Sequence, residues 1–319
     1  MSADWDDTLQ QRTAAGYNGA GRGERTAKRM NRWTIRSVIA AAEQRLAGGP
    51  HADRARRDAE GLMLLTLRVN APTINKAWLI AHEDEAVSPE TVVAFERAVA
   101  RRLAGEPMQH LAGEAEFYGL PFNVSRDVLI PRPETEHLVD KVVELAKQFR
   151  RPRIVDVGTG SGAIAVALAH ALPEAEIYAT DLSESALAVG RRNAGRNGVN
   201  DRVRFLGGDL LAPVAGQRFH IVVSNPPYVP ERDRPSLSVE VRDFEPALAL
   251  FAGDDGLDVY RRLIPAALGA LSRGGYVALE IGYGQSDAVK SLMVKVGFTG
   301  IDFAADLQGI PRVATAQRP

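Results

Sequence analysis

The pattern of apolar and polar positions divides the chain into a helical first part and a second part in which strands and helices alternate. In the first part apolar residues recur every three to four positions, as they do along one face of an amphipathic helix. Three segments show this period, namely 35–46, 53–69 and 92–103. Before the third segment, Ser88 and Pro89 supply a capping hydroxyl and a first-turn proline. The pattern therefore predicts a small all-helical domain over residues 30–108.

From Arg153 onward, short apolar runs typical of strands alternate with segments of helical period. The predicted strands are IVDVG from 154, EIYATD from 176, VRFLGGD from 203, HIVVSN from 220, YVALEIG from 276, and the terminal segments 300–303 and 312–315. This alternation predicts an α/β fold in which helices cover both faces of a mostly parallel sheet, with ligands bound at the carboxyl ends of its strands. We assign residues 133–319 to this domain, which begins with a helix opened by Pro133.

Residues 109–132 are predicted to link the two domains. Apolar residues flank Gly119-Leu120 in this segment, in the manner of a short β-hairpin. Ahead of the helical domain, residues 1–29 are Gly-rich and polar without an apolar period, so we expect a disordered extension, with Met30 as a candidate start.

Composition excludes several classes of function. Lysine and arginine number 39 against 40 acidic residues, and the net charge of −1 argues against a stable nucleic-acid partner. The chain contains neither a run of about 18 apolar residues nor a secretory signal, so we expect no membrane contact and a cytoplasmic location. Cysteine is absent and the six histidines lack ligand spacing, so we expect neither a metal nor thiolate chemistry.

A glycine-rich turn follows the first predicted strand of the second domain. Its residues are Gly158, Thr159, Gly160, Ser161 and Gly162, spaced G-x-G-x-G rather than in the dinucleotide pattern G-x-G-x-x-G. Acids stand at the predicted ends of successive strands, namely Asp156, Asp181 and Asp209. They would repel a pyrophosphate and attract a cofactor that carries a ribose, an adenine amine and a positive sulfonium. An ordinary strand-to-helix connection and a helix cap at Asp181 are the alternatives.

The fourth strand ends in Asn225-Pro226-Pro227-Tyr228, where the prolines cannot donate hydrogen bonds to a neighbouring strand. The Asn225 side chain and the Pro226 backbone each offer a carbonyl, so a planar –NH2 group could bridge both while Tyr228 covers its plane. Such pairing favours a pyramidal nitrogen whose lone pair faces an electrophile. This chemistry needs no general base, and we expect His220 to be a surface residue. The alternative is a rigid turn that ends the strand.

Together these residues resemble class I S-adenosylmethionine-dependent methyltransferases, specifically the protein-(glutamine-N5) methyltransferases that modify peptide chain release factors. The glycine turn, GGD and NPPY are shared with many amino-methyltransferases. More specific segments are GEPMQHLAGEAEFYGLPFNV, VLIPRPETE, VRDFEPALALFAGDDGLDVYRRL and DLQGIPRV. The likeness spans nearly everything from Thr34 onward. This sequence departs from the family pattern at His110, where tyrosine is common, and at Leu210, where some members have an aromatic residue.

The resemblance implies a Rossmann-like catalytic domain, with a helical domain that recognises the protein substrate and a β-hairpin linker between them. The implied residues for binding S-adenosylmethionine are Gly158, Thr159, Gly160, Ser161, Gly162, Asp181, Asp209, Leu210 and Asn225. The implied catalytic residues are Asn225, Pro226 and Tyr228. With Pro227, these three would hold the glutamine amide of the Gly-Gly-Gln loop of a class 1 release factor, and we expect the enzyme to be a monomer.

Other functions remain open from the sequence. A glutamine of a ribosomal protein and adenine N6 of a nucleic acid are alternative methyl acceptors, and the complete Pro133-Glu134-Thr135-Glu136 favours the release factor over the ribosomal protein. That stretch is also what an ordinary N-capped helix would contain. A nicotinamide-dependent oxidoreductase would need a hydride-transfer site, which the sequence does not show. A non-catalytic module would bind the cofactor and transfer nothing.

Overall fold

The computed structural model describes residues 33–69, 71–306 and 308–319. The extension expected over residues 1–29 and the candidate start at Met30 lie outside these described residues. Within the described ranges, no helix is both long enough and apolar enough to cross a membrane.

The first part of the chain is a bundle of helices. In chain order they are α1 (Ile35–Leu46), α2 (Ala55–Arg68), α3 (Lys76–Ala81), α4 (Pro89–Leu103) and α5 (Met108–Ala112). The predicted helices correspond to α1, α2 and α4, whose apolar stripes meet in a core around Leu62, Met63 and Phe95. The Thr34 side chain and Ser37 form a capping box at the start of α1. The α3 and α5 helices were not predicted, because each is shorter than the window over which a helical period is recognisable.

The second part of the chain alternates strands and helices. A short hairpin comes first, β1 (Glu114–Phe117) and β2 (Leu120–Asn123). The elements that follow are α6 (Glu136–Ala146), β3 (Arg153–Val157), α7 (Ala163–Ala171), β4 (Glu176–Asp181), α8 (Glu184–Arg196), β5 (Val203–Gly207) and β6 (Phe219–Ser224). The last elements are α9 (Val239–Phe244), α10 (Ala247–Leu250), α11 (Asp258–Ala270), β7 (Leu271–Glu280), α12 (Ser286–Val296), β8 (Thr299–Ala305) and β9 (Pro311–Gln317).

Among the described residues, seven strands form one sheet in the order β5-β4-β3-β6-β7-β9-β8. The neighbours from β5 to β7 are parallel, and β9 is antiparallel to both β7 and β8. The α6, α7 and α8 helices cover one face, and α11 and α12 cover the other. The predicted α/β fold with a mostly parallel sheet is therefore confirmed.

The hairpin turns one residue earlier than the sequence suggested. Its turn residues are Tyr118 and Gly119, with φ of +53° and +70°, the positive values that a tight type I′ turn requires. A tyrosine is uncommon in this conformation, and two hydrogen bonds hold it there. The Tyr118 N–H donates to Glu136 Oε1 (2.8 Å), and its hydroxyl donates to Asp140 Oδ1 (2.7 Å). Glu136 of the PETE segment thus anchors the linker.

One buried side chain of α8 fastens the hairpin to the glycine turn. Asn193 is fully buried, and its Nδ2 donates to the backbone oxygens of Asn123 (3.0 Å) and Ser161 (2.8 Å). Its Oδ1 accepts from the Asn123 N–H at 2.7 Å. The linker is therefore joined to the glycine turn by hydrogen bonds as well as by its covalent connection.

A buried arginine joins the helical bundle to the segment that follows the tetrapeptide. We call this segment, residues 239–250, the strap. Arg102 on α4 is 1% exposed and donates to Asp58 Oδ2 and to Glu240 Oε1 of the strap, both at 2.6 Å. Further along the strap, Glu245 accepts two hydrogen bonds from Arg132 of the linker (2.6 and 2.8 Å). The strap therefore touches all three parts of the chain.

Candidate active site

The glycine turn and the Asn-Pro-Pro-Tyr tetrapeptide lie at the point of the sheet where the strand order reverses. Because β4 lies on one side of β3 and β6 on the other, the loops after β3 and β6 diverge and leave a crevice. The turn over 158–162 follows β3, and the tetrapeptide over 225–228 follows β6. The fold therefore brings both motifs to the same edge of the sheet.

The three glycines of the turn have positive φ, but they serve two purposes. At Gly158 and Gly160 an added Cβ would meet no atom within 4 Å, so the backbone there faces open space. At Gly162 the same atom would lie 3.1 Å from the Cα of Gly190 on α8. Two glycines thus leave the backbone accessible to a ligand, and the third permits close packing.

A cavity of about 250 Å³ fills the crevice. The predicted site residues that line it are Gly158, Thr159, Gly160, Ser161, Asp181, Asp209, Leu210, Asn225 and Pro227. Its apolar walls come from the linker and the strap, which contribute Val128, Leu129, Pro131, Leu248 and Ala249 among others. Three predicted residues lie behind this lining. Gly162 is the N-cap of α7, Pro226 is buried, and Tyr228 packs against the core between the sheet and α11.

Asp181 is positioned by two backbone amides. Its Oδ2 accepts from the Gly160 N–H and its Oδ1 from the Ser183 N–H, each at 2.8 Å. Each carboxylate oxygen keeps a further lone pair, so Asp181 can still accept hydrogen bonds from a ligand in the cavity. The Ser183 hydroxyl caps α8. Because Ser183 supplies the cap, Asp181 can serve as an acceptor for a ligand.

Asp156 does not join the other acids at the cavity, contrary to the expectation that all three ring it. It lies inside β3 rather than at its end, and it is fully buried. Burial raises its pKa to about 7, although the Thr159 hydroxyl donates to Oδ2 at 2.6 Å. A carboxyl group in this position holds the turn from behind through Thr159 and does not line the cavity.

Asp209 and Leu210 follow β5 and also line the cavity. Asp209 forms an ion pair with Arg262 of α11, which offsets part of its negative charge. Leu210 has a φ of +49°, and its carbonyl accepts from the Thr180 hydroxyl at 2.8 Å. The hydrogen bond holds a backbone conformation that a leucine rarely adopts.

Asn225 is held through its side-chain nitrogen. Its Nδ2 donates to the Thr135 Oγ1 (3.1 Å), and that hydroxyl donates to Glu280 Oε2 (2.6 Å). In the described part of the chain, no donor makes a hydrogen bond to Asn225 Oδ1 or to the Pro226 carbonyl. Neither oxygen that the sequence suggested as an acceptor is therefore paired within the described residues, and Asn225 lines the cavity with Pro226 behind it.

Tyr228 takes part in the same network from the other side. Its hydroxyl donates to Glu280 Oε1 (3.2 Å), and its carbonyl accepts from Gln285 Nε2 (3.0 Å). Glu280 is 3% exposed, and burial raises its pKa against the effect of the two hydroxyls that donate to it. Desolvation also raises the pKa of the Tyr228 hydroxyl, so this group stays protonated.

Sequence reasoning missed Thr135 and Glu280 as site residues, although each carried a signal. Thr135 belongs to the PRPETE stretch, and Glu280 is the single acid in the apolar run YVALEIG. His220 lies in the first half of β6, where its Nδ1 accepts from the Arg153 N–H (2.9 Å) and its ring packs on Phe149. It is half-buried rather than a surface residue, and it is remote from the cavity.

Comparison with known families matches both parts of the chain. The PrmC N-terminal domain model matches residues 37–113, and the Methyltransferase small domain model matches residues 135–242. In fold, the chain is similar to the hMettl16 catalytic domain in complex with MAT2A 3'UTR hairpin 6, at a TM-score of 0.53 and 15% identity. The match covers 73% of this chain and 83% of that one.

Curated relatives are similar over most of their length. A release factor glutamine methyltransferase of Moorella thermoacetica is 45% identical over 264 residues, covering 83% of this chain and 91% of the relative. One of Geobacter sulfurreducens is 40% identical over 281 residues, covering 88% and 95%. One of Bordetella pertussis is 42% identical, covering 80% and 94%. The chain therefore belongs to the release factor glutamine methyltransferase family.

Proposed function

We propose that this protein methylates the N5 nitrogen of the glutamine in the Gly-Gly-Gln loop of class 1 peptide chain release factors, with S-adenosylmethionine as the methyl donor. The observation that carries the proposal is that Asn225, which lines the glycine-lined cavity, and the neighbouring Pro226 each keep a carbonyl oxygen to which no donor in the described part of the chain makes a hydrogen bond. The names of the curated relatives support the choice of acceptor and of partner.

The residues of the cavity fit this cofactor. Gly158 and Gly160 leave the backbone open to it, and Asp181 lies at the rim with lone pairs for ribose hydroxyls. Asp209 and Leu210 would contact the adenine side. When bound, S-adenosylmethionine supplies an electrophilic methyl group on a positive sulfonium. The carboxylates at the strand ends favour that positive charge.

The tetrapeptide would orient the acceptor. Asn225 Oδ1 and the Pro226 carbonyl accept the two protons of a glutamine –NH2 group, which holds the nitrogen with its lone pair free. Pro227 lines the cavity beside them, whereas Tyr228 would act from behind through Glu280. Positioning of this kind is worth about 7–11 kcal/mol, so a general base, typically worth ~10²–10⁴ in rate, is not required.

The helical bundle is proposed to recognise the release factor, since a pocket for one glutamine cannot by itself select one protein. The strap links the bundle to the cavity through Glu240 and Arg102, and this connection supports the proposal. The monomeric state and the cytoplasmic location stay predictions.

The direct test incubates the protein with methyl-labelled S-adenosylmethionine and a purified release factor. A matched release factor with the loop glutamine changed to alanine is the control. We expect label on the wild-type factor only. Label on a ribosomal protein or on adenine instead would replace the proposed substrate, and a shift of intrinsic fluorescence with a nicotinamide cofactor would contradict the proposed cofactor.

Asp181→Ala is expected to weaken S-adenosylmethionine binding by about 10- to 100-fold, because charge-assisted hydrogen bonds are lost. The Gly160 and Ser183 amides would also lose their partner. Calorimetric titration measures the change, with Asp201→Ala, an exposed acid before β5, as the control. Unchanged affinity in Asp181→Ala would show that the ribose assignment is wrong.

A further inference from the structure

We infer that Thr135 and Glu280 form a polar relay that fixes which end of the Asn225 amide faces the substrate. The inference rests on the proposed function and adds two positioning residues to it. Thr135 joins Asn225 and Glu280 through a single hydroxyl, with Nδ2 of Asn225 at 3.1 Å and Oε2 of Glu280 at 2.6 Å.

The relay has a direction because Glu280 accepts a hydroxyl proton at each of its two oxygens, from Thr135 at Oε2 and from Tyr228 at Oε1. The Thr135 hydroxyl has a single proton, and it donates that proton to Glu280. Its oxygen is then left with lone pairs only, and the group facing it must be a donor. The Asn225 amide satisfies this requirement by turning Nδ2 inward, which leaves Oδ1 facing outward.

The second oxygen of Glu280 strengthens the arrangement. Oε1 accepts from the Tyr228 hydroxyl at 3.2 Å, so one buried carboxylate receives donors from both ends of the site. The backbone oxygen of Glu280 accepts from the Tyr260 hydroxyl at 2.7 Å, which holds the end of β7. Thr135 is 4% exposed and Glu280 is 3% exposed, so bulk water does not compete freely for these bonds.

The orientation matters because the two ends of an amide have opposite hydrogen-bonding character. With Oδ1 outward, Asn225 accepts a proton from the substrate –NH2 group. With Nδ2 outward, the NH2 group of Asn225 would face the NH2 group of the substrate glutamine. Both groups are donors, so Asn225 could no longer accept a proton together with the Pro226 carbonyl. A hydroxyl at position 135 that is tied to a carboxylate removes this second state.

The test uses Thr135→Val, which keeps the shape of the side chain and removes its hydroxyl, beside Thr135→Ser, which keeps the hydroxyl. Turnover on the release factor should fall about tenfold in Thr135→Val, as for the loss of one oriented hydrogen bond, and stay within about threefold in Thr135→Ser. Binding of S-adenosylmethionine and the melting temperature are measured for both variants as checks of folding.

A double-mutant cycle separates positioning from general support of the fold. In an Asn225→Ala background the relay has nothing to orient, so adding Thr135→Val should change the remaining turnover by less than about twofold. Glu280→Gln is a second variant. Its amide can donate to the Thr135 hydroxyl, which could then donate to Asn225 and allow Oδ1 to turn inward. Turnover of this variant should also fall. Full turnover in Thr135→Val, or a tenfold loss in both backgrounds, would overturn the inference.

The same assay keeps this inference distinct from the proposed function. Wild-type protein that labels the loop glutamine, together with Thr135→Val at full turnover, would leave the function standing and refute the relay. Wild-type protein that labels no release factor would overturn the function and the relay with it.

Discussion

Turnover of Asn225→Ala is expected to fall by ~10²–10³, while its affinity for S-adenosylmethionine stays within a few-fold of the wild type. The substitution removes one of two preorganised oxygens that hold the acceptor nitrogen. It leaves the glycine turn and Asp181 intact. Initial rates of methyl transfer to the release factor, with titration of the cofactor, measure the two effects separately.

Asn197→Ala is the matched control, because Asn197 lies just beyond the far end of α8 and its amide donates to the Pro121 carbonyl (3.0 Å). Its turnover should stay near that of the wild type. If Asn225→Ala also turned over at the wild-type rate, the orienting role of the tetrapeptide would be refuted. A loss of cofactor affinity equal to the loss of turnover would mean instead that Asn225 holds the cofactor.

Arg102→Met is expected to lower the free energy of unfolding by about 3–5 kcal/mol, because it leaves the buried carboxylate of Asp58 without its partner. Asp58 and Glu240 both receive hydrogen bonds from this one guanidinium, and the Asp58 side chain is 6% exposed. Methionine fills much of the space but cannot donate. Denaturation by urea, followed by circular dichroism, gives the change.

The control for this variant is Arg97→Met, the same exchange on the exposed side of the same helix. Its free energy of unfolding should change by less than about 0.5 kcal/mol. Equal stability of the two variants would show that leaving Asp58 without its partner costs no stability. Because Glu240 belongs to the strap, Arg102→Met should also reduce turnover on the release factor more than Arg97→Met does.

The sequence was sufficient for those parts of the site that consist of adjacent residues. The glycine turn and the tetrapeptide are each contiguous, and each follows an apolar run that ends abruptly, so their positions at strand ends could be predicted from local pattern. Asp156 was misplaced because it was grouped with the acids at the strand ends although it lies within the predicted strand IVDVG, and in the structure it is a fully buried position inside β3.

The relay could not be predicted in the same way. Thr135 and Asn225 are 90 positions apart, and Thr135 and Glu280 are 145 apart. Their meeting depends on α6 lying beside β6 and β7, which follows from the strand order rather than from any local signal. The ion pairs of the strap with Arg102 and Arg132 are long-range in the same sense.

The buried amide of Asn193 has a consequence for how a protein substrate is chosen. Because it ties the linker hairpin to the glycine turn, it restrains the segment that connects the helical bundle to the cavity. The distance between the bundle and Asn225 then varies little. If the bundle binds the substrate protein as proposed, a glutamine on a loop that is too short or too long would not enter the cavity.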